Sequence, residues 1–427
     1  MNLPRRKIAD GIHANYLNGS KFKVHSITVG IEIPLDLKSV TTANLLSRVL
    51  NRGCKKYPDI KSLSVKLDDM YAAGLSIGVT RSGESEYLCL FTDFLSGTYT
   101  QGCDIIKETV EIIKEILLLP KIENGAFDHA YVAGEKKNLA DDIASLINNK
   151  AKYAKNRCIE ELCKGEPYAI STLGDKEILS ALDGSELYRF FSSALKHSRM
   201  EILYTGEDGS FDKVCSELTD IFSCLEREYE ESCFDCIVRN DVKAVHEVYE
   251  DMEVIQGKLS LGMVTGVTNK SPDIGALIVA NEIFGGSPNS KLFMNVREKM
   301  SLCYYCSSTL DAVKGIMLVN AGIEKDNYKI AKNAILEQLE EVKAGKFTDE
   351  EFSNAVSSLI NGYKSVADSV SSLETWYMPR IFIGENDTPE SRIKQIRSVT
   401  RKDVINAANK INPQVIYFLR PSEKEEC

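Results

Sequence analysis

Apolar residues alternate with polar or small ones at Ile27, Val29, Ile31 and Ile33, the period of a strand with one buried face. A helix is predicted next, over TTANLLSRVLNRG, with Leu45, Leu46, Val49 and Leu50 on one side and Gly53 as its stop. Pro58 and Asp59 open a second helix that runs to Met70. Two strands follow, over residues 75–80 and 87–94. Ile106, Val110, Ile113 and Leu117 recur at helical spacing over residues 101–118, and Pro120 ends that helix. Helices are predicted over 126–148 and 185–194, before a strand at 200–204.

The second half repeats the order. A strand at 258–264 leads to a helix at 274–284 and to Gly285 and Gly286. Two strands flank Gly315, and a helix spans 327–344. Thr348 to Glu351 form a capping-box pattern before a long helix carrying Phe352, Ala355, Leu359 and Tyr363. Val366, Val370 and Leu373 keep helical spacing through the Ser-rich stretch 365–372. A helix at 402–409 and a strand at 415–419 end the chain as 185–204 ends the first half. A period this long indicates duplicated domains, not a solenoid. The expected fold class is α+β: two duplicated domains, 1–223 and 246–427, each a mostly antiparallel sheet packed against helices. The highly charged stretch 224–245 lacks apolar periodicity and is read as the linker.

Composition narrows the function. The chain has 427 residues, 43% hydrophobic and 27% charged, as an ordinary globular protein does. A net charge of −10 argues against a general phosphate-backbone binder, so no nucleic-acid partner is expected. No apolar run approaches the roughly 18 residues needed to cross a bilayer, so no membrane partner is expected either. The first residues lack the apolar stretch of a secretory signal. The 12 cysteines are scattered, without disulfide-scaffold spacing. A cytoplasmic protein with reduced thiols is the expectation.

The chain shows no evident catalytic centre. Its five histidines, His13, His25, His129, His197 and His246, lie far apart in sequence, and H-E-x-x-H and H-x-x-E-H are both absent. So are G-x-S-x-G, a P-loop and G-x-G-x-x-G. Two C-x-x-C pairs occur, Cys233/Cys236 and Cys303/Cys306. Four thiolates could make a zinc site, but the pairs are much farther apart than in zinc ribbons. Cys303 and Cys306 also sit in an expected strand, where their side chains should face opposite sides.

One segment, NSKLFMNVREKMSLCYYCSSTLDAVKG, resembles the second domain of the pitrilysin/insulinase metallopeptidases, the inverzincin family that includes mitochondrial processing peptidases. The family pattern there is Gly-Gly, then S-R-L-F, then R-E-K-x-G-L-x-Y. Gly285-Gly286, Ser290-Lys291-Leu292-Phe293, Arg297-Glu298-Lys299, Leu302 and Tyr304 match it. Gln256, FDHAYVAGEKKNL, EPYAISTLGDKEILSAL and VTRKDVINAANK extend the resemblance over nearly the whole chain. It implies that Arg297 and Tyr304 bind substrate peptide, with Tyr305 one step off and facing the other way. Sequence physics alone reads the same two residues as a surface salt bridge and a half-buried strand tyrosine.

The family's H-x-x-E-H falls where this chain has Asn44, Ser47 and Arg48, followed by Gly53. The downstream glutamate ligand corresponds to Glu135, which sequence physics alone reads as a solvated or structurally paired helix carboxylate. Asn and Ser are feeble zinc ligands, and Arg48 puts a permanent charge where a dication would sit. No metal or other cofactor is expected in this chain. An ion pair between Arg48 and Glu135 across the vestigial site is expected instead.

The resemblance implies one half of a clamshell assembled from two chains. This chain would be the non-catalytic, metal-free subunit, inactive alone. Its partner would be a homologue with an intact H-x-x-E-H that holds the zinc and cleaves peptides or small proteins as a metalloendopeptidase. Alternatives are a structural or peptide-holding scaffold with the same fold, an enzyme of another class working through thiols, and a homodimer without a catalytic partner.

Overall fold

The computed structural model describes residues 3–229, 236–238 and 244–422. Two compact units emerge, each built on a sheet flanked by helices, so the fold is α+β.

The first sheet has six strands in the order Arg5–Ala9, Ile12–Asn18, Met200–Gly206, Val24–Ile33, Ser85–Leu95 and Gly74–Ser82. Val24–Ile33 runs antiparallel to both neighbours, while Ile12–Asn18 runs parallel to Met200–Gly206. The second sheet has five strands in the order Cys303–Asp311, Ile316–Ile323, Gly257–Val264, Asn412–Pro421 and His246–Met252. Its pairings are antiparallel until the last, Asn412–Pro421 with His246–Met252, which is parallel. Read from its other end, the second sheet repeats five strands of the first in order and direction, as expected of a duplication; Arg5–Ala9 has no counterpart.

One face of each sheet carries the main core. In the first unit Ile27, Val29, Ile31 and Ile33 pack with Leu45, Leu46 and Leu50 from helix Leu37–Leu50, and with Ile112, Ile113 and Ile116 from helix Ile105–Leu117. In the second unit Leu259, Leu261 and Met263 pack with helices Ile274–Asn281, Tyr328–Lys343 and Arg401–Ala408. The alternation of residues 27–33 thus buries the odd positions against helices.

The units are not contiguous in sequence. The first comprises Met1–Ala144, Ile170–Asp235 and Val366–Asn386; the second takes Ser145–Ala169, Cys236–Ser365 and Asp387–Cys427. The transition between residues 235 and 236 falls inside the stretch read as a linker, but the exchange of 145–169 and 366–386 has no counterpart in a reading of two contiguous domains. Its cause is the second face of each sheet. Leu17, Tyr87, Cys89 and Leu203 are buried there under Leu373, Met378 and Phe382 of helix Val370–Phe382. On the other sheet Val264, Ile316, Leu318 and Tyr417 are buried under Ala154, Cys158 and Leu162 of helix Lys150–Leu162. Each exchanged helix therefore covers apolar surface that its sheet would otherwise expose.

A glycine lies beneath each of these helices. A Cβ on Gly30 would meet Met378 Cε at 2.6 Å and the Phe382 ring at 2.7 Å. A Cβ on Gly262 would meet Leu162 Cδ2 at 3.1 Å and Cys158 Sγ at 3.2 Å. Both glycines sit in the middle strand of the repeat, in ITVG and LSLG respectively. Around Gly30, the Tyr87 ring stacks on Phe382 at 4.1 Å. Arg199 closes the helix end, donating to the carbonyls of Phe382 and Ile381 at 3.0 Å each. Its Nε donates to Glu201 at 2.8 Å. Glu201 is fully buried and accepts a bidentate pair from Arg5 at 2.6 and 2.7 Å. The carboxylate thus enters the interior matched by two cations.

Gly30→Val is expected to push the Val370–Phe382 helix off its seat and destabilise the protein by about 1–3 kcal/mol. Gly78→Val, on the edge strand where a Cβ meets nothing within 4 Å, serves as the control with little loss. Urea denaturation of the two variants compares them; equal midpoints would refute the close-packing assignment.

Candidate functional site

Helix Leu37–Leu50 begins at Asp36, whose side chain accepts from the amides of Lys38 and Ser39 at 3.0 and 2.9 Å. Its apolar stripe anchors it on the sheet, so positions 44, 47 and 48 turn together toward the neighbouring segments. Asn44 is buried and donates from Nδ2 to the Val40 carbonyl at 2.9 Å and the Thr172 carbonyl at 3.0 Å. Ser47, also buried, donates to the Asn44 carbonyl at 2.9 Å. Gly174 lets the chain pass close to this helix: its φ is +83°, and a Cβ there would meet Thr41 Oγ1 at 2.3 Å.

The structure corrects the expected ion pair. Glu135 does not pair with Arg48. It accepts from Arg52 Nε at 2.5 Å, contacts Arg52 Nη2 as well, and accepts from Asn138 Nδ2 at 3.1 Å. Arg48 instead pairs with Asp142 at 2.6 Å, on the more exposed side. Glu135 and Asp142 both lie on helix His129–Ser145. Along the Leu37–Leu50 helix and its C-terminal turn, Arg48 thus meets the later acid and Arg52 the earlier one. That is the ladder of an antiparallel helix pair. Arg52 escaped the sequence reading, although it stands one helical turn beyond Arg48 on the same face.

These residues do not fit a zinc ion. The positions hold an amide whose NH2 is committed to two carbonyls, a hydroxyl committed to another, and a guanidinium. The remaining carboxylate is neutralised by Arg52. Among the described residues, no group of three or more His, Cys, Asp or Glu side chains converges to hold a metal. Cys233 lies outside the described residues.

The second set of candidates stands in the second unit. Leu292–Lys299 is a π-helical turn, with the Met300 amide reaching back to the Asn295 carbonyl at 2.9 Å. Lys291, where the family pattern has Arg, is buried between Glu341 and Glu351 at 3.4 and 3.5 Å. Ser301 follows in the left-handed region at φ +52°, at the position of the pattern's glycine. Strand Cys303–Asp311 then opens with a bulge: Cys303 pairs with Ile323 and Tyr305 with Gly322, leaving Tyr304 as the extra residue.

Arg297 and Tyr304 meet at this bulge. Arg297 Nε donates to the Tyr304 carbonyl at 3.0 Å, and its guanidinium lies 4.4 Å from the Phe293 ring centroid. Nη1 lies 3.2 Å from Glu298. Tyr304 is 59% exposed, and its hydroxyl donates to Glu324 at 3.0 Å. That carboxylate raises the phenol above its ordinary range. Tyr305 lies over Gly322, where a Cβ would meet its ring at 2.6 Å. Phe293 stands one turn before Arg297, a signal visible in the sequence; nothing local in CYYC announces the bulge.

Arg52→Met is expected to leave the Glu135 carboxylate buried without its cation and to cost about 1–3 kcal/mol. Arg48→Ala breaks a more exposed pair and is expected to cost about 0–1 kcal/mol. Denaturant titration of both variants checks the order; a larger loss from Arg48→Ala would restore the pairing of Arg48 with Glu135.

A family model for the peptidase M16 inactive domain matches residues 181–359. Over 414 residues the chain is 30% identical to the probable inactive metalloprotease YmfF of Bacillus subtilis, covering 97% of this chain and 96% of that one. It is 26% identical over 335 residues to an uncharacterized zinc protease of Rickettsia felis, covering 75% of each. The crystal structure of a conserved protein from Enterococcus faecalis matches over the whole of both chains, with a TM-score of 0.91 and 27% identity. A peptidase M16 inactive domain from Pseudomonas fluorescens shares the fold over the same extent, with a TM-score of 0.81 and 16% identity. The chain belongs to the M16, or pitrilysin/insulinase, peptidase family, as an inactive homologue that lacks the H-x-x-E-H motif.

Proposed function

We propose that this chain is the non-catalytic subunit of a heterodimeric zinc peptidase, supplying peptide-binding and transition-state contacts to a partner that carries H-x-x-E-H. The observation that carries the reading is the contrast between its two sets of family positions. Those for metal are committed to internal hydrogen bonds and ion pairs. Those for substrate are held at an exposed bulge, where Arg297 grips the Tyr304 backbone and Tyr304 faces solvent.

Arg297 is partly organised before any peptide arrives. Its Nε bond and the Phe293 ring beneath it hold the guanidinium plane, which lowers the entropy lost on binding. Glu324 accepts from the Tyr304 hydroxyl. In the complex, Arg297 donates to substrate carbonyls, or to the oxyanion that develops as the partner cleaves the peptide, and Tyr304 does so by turning its one hydroxyl proton from Glu324 to the substrate. Donors aimed at that charge lower the barrier because they interact more strongly with the transition state than with the substrate. The same proposal places the complex in the cytoplasm. Among the described residues no helix is long and apolar enough to cross a membrane.

The test is reconstitution with an M16 homologue that retains H-x-x-E-H, followed by cleavage of a fluorogenic peptide. The mixture is expected to cleave and this chain alone is not. Arg297→Ala in the complex is expected to lower kcat by about 10²–10³-fold. Unchanged turnover by that complex would refute the role given to Arg297. Peptide binding without cleavage in any mixture would favour a peptide-holding scaffold.

A further inference from the structure

The end of helix Val370–Phe382 and the loop after it close one side of a cavity of about 450 Å³ within the first unit. Arg5, Asn15 and Arg199 line it from the sheet. Both arginines bind one carboxylate, the fully buried Glu201. Glu201 Oε1 accepts from Arg5 Nη2 at 2.7 Å and Arg199 Nε at 2.8 Å; Oε2 accepts from Arg5 Nη1 at 2.6 Å and Asn15 Nδ2 at 2.9 Å. Its acceptor capacity is filled, and two guanidiniums against one carboxylate leave a net positive charge. The imidazole of His13, two residues before Asn15 on the same strand face, senses that balance. Burial lowers it below its ordinary range, and Arg5, Arg199 and Lys7 push the same way against Glu201.

The two arginines differ in what they still offer. Arg199 also donates to the Phe382 and Ile381 carbonyls, so all three of its nitrogens are engaged. Arg5 turns its Nη1–Nη2 edge to Glu201, and Asn15 Oδ1 accepts from Nη1 as well, at 3.1 Å. Arg5 Nε has no acceptor among the described residues, and the side chain is 37% exposed. The Nε edge of a guanidinium is a second fork that a carboxylate fits. Glu201 and Asn15 hold that fork in place before any ligand arrives. The apolar part of the lining is Leu3, Tyr377 and Ile381, each partly buried against the cluster of Leu17, Tyr87 and Leu203. Glu385 also lines the cavity and disfavours ligands that carry several negative charges.

We propose that this cavity binds an α-carboxylate that has an apolar side chain next to it, as the C-terminal residue of a peptide or a free amino acid does. The carboxylate takes the Nε edge of Arg5, with the carboxamide of the exposed Asn386 as a further donor. The side chain lies against Leu3, Tyr377 and Ile381. Such a ligand touches the sheet and the helix end together, so its binding stabilises the seat of the exchanged helix. The inference stands apart from the peptidase-subunit reading, since none of these residues belongs to the Arg297–Tyr304 site.

Calorimetric titration of the purified full-length chain with three probes tests this: N-acetyl-leucyl-leucine, its C-terminal amide, and free leucine. The acetylated acid is expected to bind saturably and about tenfold or more tighter than its amide. Tighter binding of that acid than of leucine assigns the site to peptide C-termini; the reverse order assigns it to free amino acids. Arg5→Lys keeps a cation on Glu201 without the second fork, and is expected to weaken binding about tenfold or more. Should that variant fail to fold, Asn386→Asp at an exposed position adds a second carboxylate to the lining and is expected to weaken binding of the acid. Equal binding of acid and amide would overturn the carboxylate recognition. Undiminished binding by the folded variant would overturn the placement, and no saturable binding of any probe would overturn the site. The readout uses no peptide cleavage, so failure here is distinct from failure of the peptidase-subunit reading.

Discussion

Each sheet in this chain is apolar on both faces, and the chain must cover each of them twice. Local helices cover the first face of the first sheet, packing on Ile27, Val29 and Ile31. The second face is covered by a helix from the other half of the sequence: Val370–Phe382 over the first sheet and Lys150–Leu162 over the second. Gly30 and Gly262 mark where those helices pass close to the strands. The exchange ties the two halves of the chain together, since neither sheet is buried by its own half alone. The Glu201 cluster with Arg5 and Arg199 then secures the end of one exchanged helix with paired charge.

Within that frame helix Leu37–Leu50 is an ordinary structural element. Asn44 and Ser47 satisfy nearby backbone carbonyls, and Arg48 and Arg52 bind acids on the neighbouring helix. Its polar side chains are satisfied by nearby backbone and by paired charge. The Arg297–Tyr304 site shows the opposite economy. It has a π-helical turn, a left-handed Ser301 and a bulge, three departures from regular geometry between Leu292 and Tyr305. Such features persist where a side chain must be aimed outward.

Much of this was legible in the sequence. Strict alternation exposed the Val24–Ile33 strand, whose large apolar residues lie on one face although both faces are buried, and helical spacing exposed Ile105–Leu117 by its buried apolar stripe. Strands Arg5–Ala9 and His246–Met252 escaped because they lie at sheet edges, where charged residues replace the alternation. Helix Lys150–Leu162 escaped because its target is a sheet far away in sequence. The resemblance singled out positions 44, 47, 48 and 135, but it could not supply their partners. Choosing Arg52 over Arg48 for Glu135 depends on the register of two antiparallel helices. Cys303 and Cys306 both face the core of the second unit, not opposite sides as their spacing implied, because the pairing with Ile316–Ile323 loops out Tyr304, which CYYC itself does not announce.

The central claim is that this chain keeps the M16 fold while having no catalytic zinc site of its own. Elemental analysis of the purified chain after incubation with excess zinc and removal of unbound metal tests it most directly. The account predicts less than about a tenth of a zinc per chain, unchanged by Glu135→Gln, because a lone carboxylate already held by Arg52 makes no zinc site. One zinc per chain that is lost in Glu135→Gln would contradict it.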